Sequence, residues 1–547
     1  MSRKPKETPK TPHTAPAAPQ IPAIPRQVWI AAGVLFLACL AVFSAIVNHD
    51  FVDFDDAEYI HHNAMVREGL TAQGIIDAWT SVKHYYWQPL TWISHMTDVS
   101  LFGLNPGAHH AVSLLLHALN AAILLLALYR LTNALWPSVF AASLHALHPL
   151  RVESVAWAAE RKDVLSGLFF SCALLAYANY ARSGAKRDYL WLLLAAFAAC
   201  SSKPTVVVLP LILLLLDWWP LGRLTSRDSL FPLLKEKLPL FAMSAVLSVL
   251  TVLGQQESAM ATLEGHPLEL RIWNLIRGYA SYVYSFVWPA NLGVFYPHED
   301  VRNGTGVLML LTLVGLTAAA VVLRRRAPYL LAGWLWFAIA TFPMSGIAQA
   351  GSQAYADRFT YIPGIGLALA AVFAVATLQQ RIPPRTLAAA GLCLLAVFAA
   401  LSWQQTSHWK DTETMALRAL AVTGKNPKMH YLLGLVYARQ GRTTEATNHF
   451  RAYMEEFPEG AGDAHQHLGT MFMQAKNFSE AERELRQALE STPNDLKLLK
   501  LYSLALVQTG RREEATQTLR RILSLQPGDR EATSWLGSLT GAASSNP

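Results

Sequence analysis

Charge is what this sequence has least of. Of its 547 residues only 15% are Asp, Glu, Lys or Arg, against 52% hydrophobic, whereas a soluble domain carries about a quarter charged residues. That balance excludes an ordinary water-soluble globule, and much of the chain must meet lipid. Cysteine is scarce too. Cys39, Cys172, Cys200 and Cys393 all stand inside apolar runs with neither CxxC spacing nor an adjacent His or Cys partner, which argues against disulfides and a structural zinc site. The net charge of +7 would suit nucleic acid, but the basic residues mostly fall in short loops between apolar runs, where topology accounts for them. A nucleic-acid partner is set aside.

What is present divides in two. From Gln27 to about Trp403 the chain is a string of apolar runs, and from Lys410 onward it is polar and helix-forming. Many of the runs approach the ~20 residues that a bilayer core asks of a helix. Residues 1–26 are rich in Pro, Ala, Thr and Lys, with too little apolar surface to offset the entropy of ordering, so a disordered cytoplasmic tail is expected. Val28 to Val47 is too long for a usual signal-peptide core and is read as an uncleaved first span.

Eleven spans are expected, roughly at 28–47, 110–129, 136–148, 164–181, 189–200, 204–219, 239–254, 307–323, 329–345, 361–378 and 386–403. Basic residues set the orientation. Arg3, Lys4, Lys6, Lys10 and Arg26 hold the N-terminus inside. Every second loop agrees, through Arg182, Lys186 and Arg187, then Arg223, Arg227, Lys235 and Lys237, then Arg324 to Arg326, then Arg381 and Arg385. Ile272 to Pro289 is apolar enough to tempt a twelfth span, but Asn274, Arg277 and three tyrosines suit an amphipathic helix in the outer interface. An odd count places everything after Trp403 outside, together with loops 48–109, 149–163, 201–203, 255–306 and 346–360.

Residues 406–540 carry a repeat. Ala446, Ala481 and Ala515 recur about every 34 residues, as do Pro458, Pro493 and Pro527, the period of tetratricopeptide (TPR) units. Gly434 and Gly469 mark first helices, and Gly441 and Gly510 mark turns. Such units stack into a solenoid whose concave face commonly holds an extended peptide or protein, with a bare scaffold as the plainer reading.

The outer loops hold the unusual polar clusters. Asp53, Asp55, Asp56 and Glu58 follow the first span directly; adjacent carboxylates near a low-dielectric surface should raise at least one pKa, which suits a general base, although a solvated acidic cap reads the same. Trp79, Tyr85, Tyr86, Trp87 and Trp92 form either an interfacial belt or a pocket wall. His109 and His110 are paired imidazoles without a third spaced ligand, so no metal ligand is assigned and the need for metal stays open. If His148 to Asp163 is one helix, Glu153, Trp157 and Glu160 share a face, with Arg161 and Lys162 beside it. Lys203 is isolated at a span end and needs a partner or the interface. Asp357 and Arg358 add one more cation, and arginine suits a phosphate.

At these residues the chain resembles the transmembrane and TPR-repeat-containing protein O-mannosyltransferases (the TMTC family) and their bacterial relatives in the GT-C glycosyltransferase superfamily. The matching stretches run in order: Phe51-Val-Asp-Phe-Asp-Asp56 with Asn63, Pro106 to His117 with Asn120, His148-Pro through Glu153 to Asp163, Ser202-Lys-Pro204, Tyr296-Pro297, Asp357 to Pro363, and then the repeats. The resemblance implies an all-α protein, a GT-C membrane bundle over 27–405 followed by a TPR solenoid on the periplasmic or extracytoplasmic side of the inner membrane. It implies a polyprenyl-phosphate sugar donor, mannose or another hexose, transferred with inversion to a hydroxyl of a protein or peptide that the repeats present. Asp55 is then the base, Asp56 supports it, and Glu153 stands near the acceptor. Arg161, Lys203 and Arg358 bind phosphate, and Asp163 orients Arg161; His109, His110, His148 and Asp357 support the site. About three full repeats fall short of the long arrays of eukaryotic members, so their acceptors do not transfer. Competing readings are a GT-C transferase acting on an envelope glycan or lipid, and a non-catalytic TPR scaffold.

Overall fold

The computed structural model of the chain describes residues 23–81, 87–255, 267–347 and 353–541. Residues 1–22, most of the expected tail, lie outside the described residues, as do Tyr85 and Tyr86. The described chain is helical, its one departure being an isolated antiparallel bridge between Tyr296 and Tyr355.

Each of the eleven expected spans falls on helix, and among the described residues seven helices are long and apolar enough by themselves to cross a bilayer. Shorter apolar helices run over Pro204–Trp218 and Pro328–Met344. The Gly304–Leu323 helix shows why water is the wrong solvent for this body. Leu308, Leu311 and Val322 are 65%, 61% and 76% exposed, and a helix that turns leucine and valine outward is satisfied by lipid chains. The protein is therefore a multi-pass membrane protein. Its interior is fastened by polar groups and small residues. Tyr361 meets His117 Nδ1 at 2.7 Å and accepts from Asn120 at 3.0 Å, and Ser171 donates to Asn120 at 2.7 Å. Gly333 and Gly366 let the Pro328–Thr341 and Pro363–Thr377 helices approach so closely that a Cβ on either would strike the other's backbone.

The segment Leu268–Val287 is one helix, and its polar residues point into the protein. Arg271 donates to Ile347 O, Asn274 to Ala354 O and Arg277 to Pro297 O, while Phe286 O meets His148 at its other end. Ile272, Tyr284 and Val287 face outward. Its contacts thus reach the segments that lead to Glu153 and Arg358.

From Thr412 the chain becomes paired helices: Pro427–Arg439 with Thr443–Glu456, Ala461–Gln474 with Phe478–Ser491, and Leu496–Gln508 with Arg512–Leu525. Gly434 lies against the Phe450 ring and Gly469 against Leu485, where any larger side chain would collide. The turns at Gly441 and Gly510 have φ of +74° and +80°, and Lys476 takes the same left-handed place in the second unit at φ +58°. Sequence alone showed only the two glycines, because a lysine can adopt αL at modest cost.

Candidate active site

Immediately after the first span the chain turns back on itself and buries Asp56 completely. Its two carboxylate oxygens accept from Val52 N at 2.9 Å and Ala159 N at 2.7 Å, tying the acidic loop to the segment before the Arg161–Ser183 helix. Burial pushes the Asp56 carboxyl up to about 7, against the pull of those two N–H donors. Asp55 is half-buried, and its carboxylate has no hydrogen bond among the described residues; its nearest charged neighbours include Lys162 and Arg358. The adjacent acids therefore divide: Asp56 is a buried clasp, and the Asp55 carboxylate is left open.

The stretch His148 to Asp163 is not one helix. A 3₁₀ turn over Pro149–Arg151 leads into Val152–Ala156, the backbone is extended at Trp157, and a second 3₁₀ turn over Ala158–Glu160 precedes the helix beginning at Arg161. The break turns Glu153 and Glu160 toward the same cation. Arg358 Nη1 bonds Glu153 Oε1 at 2.5 Å, its backbone N–H donates to Glu153 Oε2 at 2.7 Å, and its Nε reaches Glu160 Oε1 at 3.0 Å. Lys162 pairs with Glu160 at 3.0 Å and donates to Tyr59 Oη at 3.2 Å. Lys203 pairs with Asp163 and stands 3.8 Å from Glu160. All six side chains of this cluster are almost fully enclosed except Lys162, whose side chain is 13% exposed, and Lys203, at 10%. Burial pushes the Glu153 carboxyl up to about 7, while the neighbouring Arg358 guanidinium and N–H oppose the rise.

Lys203 and Arg358 line one small cleft with Asp163. Most of its other walls, Val206, Val208, Ala340, Met344, Ile362 and Pro363, are apolar, with Thr205 and Tyr361 among them, and come from the short Pro204–Trp218 and Pro328–Met344 helices and the start of the Pro363–Thr377 helix. A phosphate with a hydrocarbon tail matches that lining in chemistry. Nearby, Asp357 accepts from Tyr296 Oη at 3.1 Å, and burial raises its pKa well above the usual carboxylate range.

Two expectations need correction. Asp163 does not orient Arg161; it holds Lys203 and accepts from Ser154 Oγ at 3.0 Å. Arg161 points away from the cleft and spends its fork on Asp98 at 2.7 Å, Ser94 at 2.9 Å, Ser113 at 2.8 Å and His109 O at 2.6 Å. Fully buried and so engaged, it is an internal tie rather than a phosphate hand. His109 also belongs to that tie: its Nδ1 lies 3.4 Å from both Asp98 Oδ2 and His95 Nδ1. His95 and Asp98 supply the near neighbours that the His109-His110 pair lacks in sequence, but Asp98 is already neutralised by Arg161. His110 meets Asp50 O at 3.3 Å, and His148 accepts from Leu150 N and bonds Phe286 O, so both are framework. Trp92 packs under Tyr59 and Trp79 stacks on Phe197, neither of them lining the cleft. Glu160 and Lys162 were named in sequence only as neighbours on a helical face; nothing in their spacing told that Glu160 would bridge Lys162 and Arg358.

Tetratricopeptide-repeat family models match residues 406–461, 437–505 and 472–537. Human protein O-mannosyl-transferase TMTC1 is 25% identical over 81% of this chain and 56% of its own length. Drosophila melanogaster protein O-mannosyl-transferase Tmtc3 is 24% identical over 90% of this chain and 63% of its own. The chain thus spans little more than half to under two thirds of the length of these relatives. Among solved structures, ArnT from Cupriavidus metallidurans bound to undecaprenyl phosphate aligns over 82% of this chain and 81% of that one, at 16% identity and a TM-score of 0.36. Across most of its length, then, this membrane protein with C-terminal TPR units is similar in sequence to protein O-mannosyltransferases.

Proposed function

We propose that the chain is an inverting glycosyltransferase that moves a sugar, mannose or another hexose, from a polyprenyl-phosphate carrier to a hydroxyl of a protein at the outer membrane face. The observation that carries this reading is the convergence of Lys203 and Arg358 on one apolar-walled cleft beside the unbonded carboxylate of Asp55. The lipid chain lies along the apolar wall, and the two cations hold the phosphate. The acceptor oxygen attacks the anomeric carbon from the face opposite the phosphate and forms the new C–O bond. The bond from that carbon to the phosphate oxygen breaks, its electron pair leaving on the phosphate, where Lys203 and Arg358 offset the added charge. Asp55 takes the hydroxyl proton. The similarity to protein O-mannosyl-transferases supports the protein acceptor, the O-linkage and the mannosyl group. The contact of the first TPR unit with the acidic loop supports a protein acceptor brought by the repeats.

Purified chain supplied with polyprenyl-phosphate hexose and an acceptor peptide should show transfer that falls about a hundredfold or more in the Asp55→Asn variant. Lys203→Ala should instead raise the donor KM by about tenfold or more, the loss of a charge-assisted contact. Undiminished turnover of Asp55→Asn would remove Asp55 as the base, and a wild-type chain inert toward a panel of lipid-phosphate sugars would leave the scaffold reading.

A further inference from the structure

The loop that carries Asp55 is held from one side by the membrane body and from the other by the first repeat unit. Asp50 N donates to Lys410 O at 2.9 Å, and Asp53 N donates to Thr412 Oγ1 at 2.9 Å. The Asp53 carboxylate pairs with Arg439 at 2.5 Å. Between these anchors, Lys428 sets its ammonium 4.6 Å from the centre of the Phe54 ring and 5.6 Å from that of Phe295, within cation–π range. Asn426 caps the same repeat helix and donates to Phe295 O at 3.1 Å. Residues on both sides of Asp55 are thus fixed, Asp53 and Phe54 by the repeat and Asp56 by the bundle.

A second line of contact runs underneath. Phe54 packs on Trp157 with ring centres 5.4 Å apart, and Trp157 stacks on Trp409 at 5.6 Å. The Arg358 guanidinium lies 5.1 Å from the centre of the same Trp157 ring. One buried indole therefore carries both the aromatic beside Asp55 and the cation of the cleft, and it is backed by the residue that begins the repeat region.

We propose that the first TPR unit is a built-in part of the transfer site, with Lys428 and Arg439 as positioning residues that hold the Phe51–Asp56 loop so that Asp55 stays beside Arg358. This rests on the transferase reading for its effect on turnover, but not for its effect on the loop. The repeat then does more than carry an acceptor: it fixes the base relative to the donor phosphate, and a misplacement of about an ångström at a reacting group costs on the order of a hundredfold in rate. Arg439 is exposed and Asp53 partly so, and pairs near solvent add little to global stability, so the variants should remain folded.

The test uses the full chain in lipid nanodiscs, as wild type, Arg439→Ala, Lys428→Ala, the double variant and Arg439→Lys. Amide hydrogen exchange over residues 50–59 should quicken about tenfold in the double variant and return toward wild type with Arg439→Lys. The kcat for transfer should fall about tenfold or more while the donor KM stays within a factor of about two, since Lys203 and Arg358 are untouched. Unchanged exchange over 50–59, or a fall in kcat that merely follows a lowered melting temperature, would overturn the proposal. An inert wild type would overturn the transferase reading and the positioning role with it, whereas a quickened loop beside an active wild type and an unaltered kcat would overturn the positioning role alone.

Discussion

Replacing Glu153 with Gln interrogates the charge balance of the cleft. Three carboxylates, Glu153, Glu160 and Asp163, face three cations, Lys162, Lys203 and Arg358, and Asp55 stands near two of those cations, so the cluster has no positive charge to spare for the phosphate of the proposed donor. A phosphodiester donor brings one negative charge, and the monoester left after transfer carries about 1.5–2 at pH 7. In so enclosed a place the surplus is met by protonating a carboxylate. Glu153 is the group poised to do so, its carboxyl pushed by burial from the ordinary 4.5 up to about 7. The sign follows from that direction. Stability drawn from the protonated form is present below about pH 4.5 and is lost as pH rises through about 7, and phosphate binding, which favours the same protonated form, weakens over the same rise. Above pH 7 the affinity for polyprenyl phosphate should drop about tenfold per pH unit, about 1.4 kcal/mol each.

The assay is calorimetric titration of polyprenyl phosphate into the protein between pH 7 and 9, in buffers of different ionisation enthalpy, which counts the protons taken up. Wild type should take up close to one proton per site at pH 8, and E153Q close to none, with an affinity nearly flat across the range. The Gln side chain keeps the volume but loses one of two acceptors for Arg358, at a cost of about 1.5–3 kcal/mol for a bond to a charged group, so a melting curve accompanies each titration. Equal proton uptake in both proteins, or none in wild type, would refute the reasoning.

Asp56→Ala removes the acceptor of two buried N–H groups, Val52 N and Ala159 N; at about 1–3 kcal/mol for each orphaned donor, the melting temperature should fall clearly, and an unaltered melt would show that the clasp is dispensable. Arg161→Lys keeps the charge but loses the fork that reaches Ser94, Ser113, Asp98 and His109 O. It should lower the melting temperature and leave the donor KM unchanged, and a KM rise matching that of Lys203→Ala would restore Arg161 as a phosphate ligand.

The apolar runs and the 34-residue repeat were readable in sequence because each is a local pattern. Lys203 was conspicuous for a physical reason as well: an ammonium at a span end must be met by something, and Asp163 and Glu160 meet it. Arg161 misled for the mirror reason. Charged residues packed into the run Glu160-Arg-Lys-Asp163 look interchangeable by spacing, but Arg161, Lys162 and Asp163 open one helix, where successive side chains point in different directions. Asp163 turns to the cleft, Glu160 and Lys162 pair with each other beside Arg358, and Arg161 turns to Asp98 on a different helix. No periodicity could show that, because the deciding partner lies 63 positions away.

The acidic pair makes the same point about neighbouring residues with opposite fates. Adjacent aspartates implied that one should hold its proton more tightly, and burial gives that role to Asp56. Its raised pKa would suit a base, but two N–H bonds occupy both of its oxygens, and a base must present an oxygen to its substrate. Geometry therefore outranks titration here. Asp55 has the open carboxylate, while Asp56, through Val52 and Ala159, fixes how Asp55 stands against the segment that bears Glu160 and Lys162. An Asp55→Glu change, which moves the carboxylate by one methylene without touching the Asp56 clasp, should thus cost turnover but not stability; equal losses of both would mean that the two acids act as one structural unit.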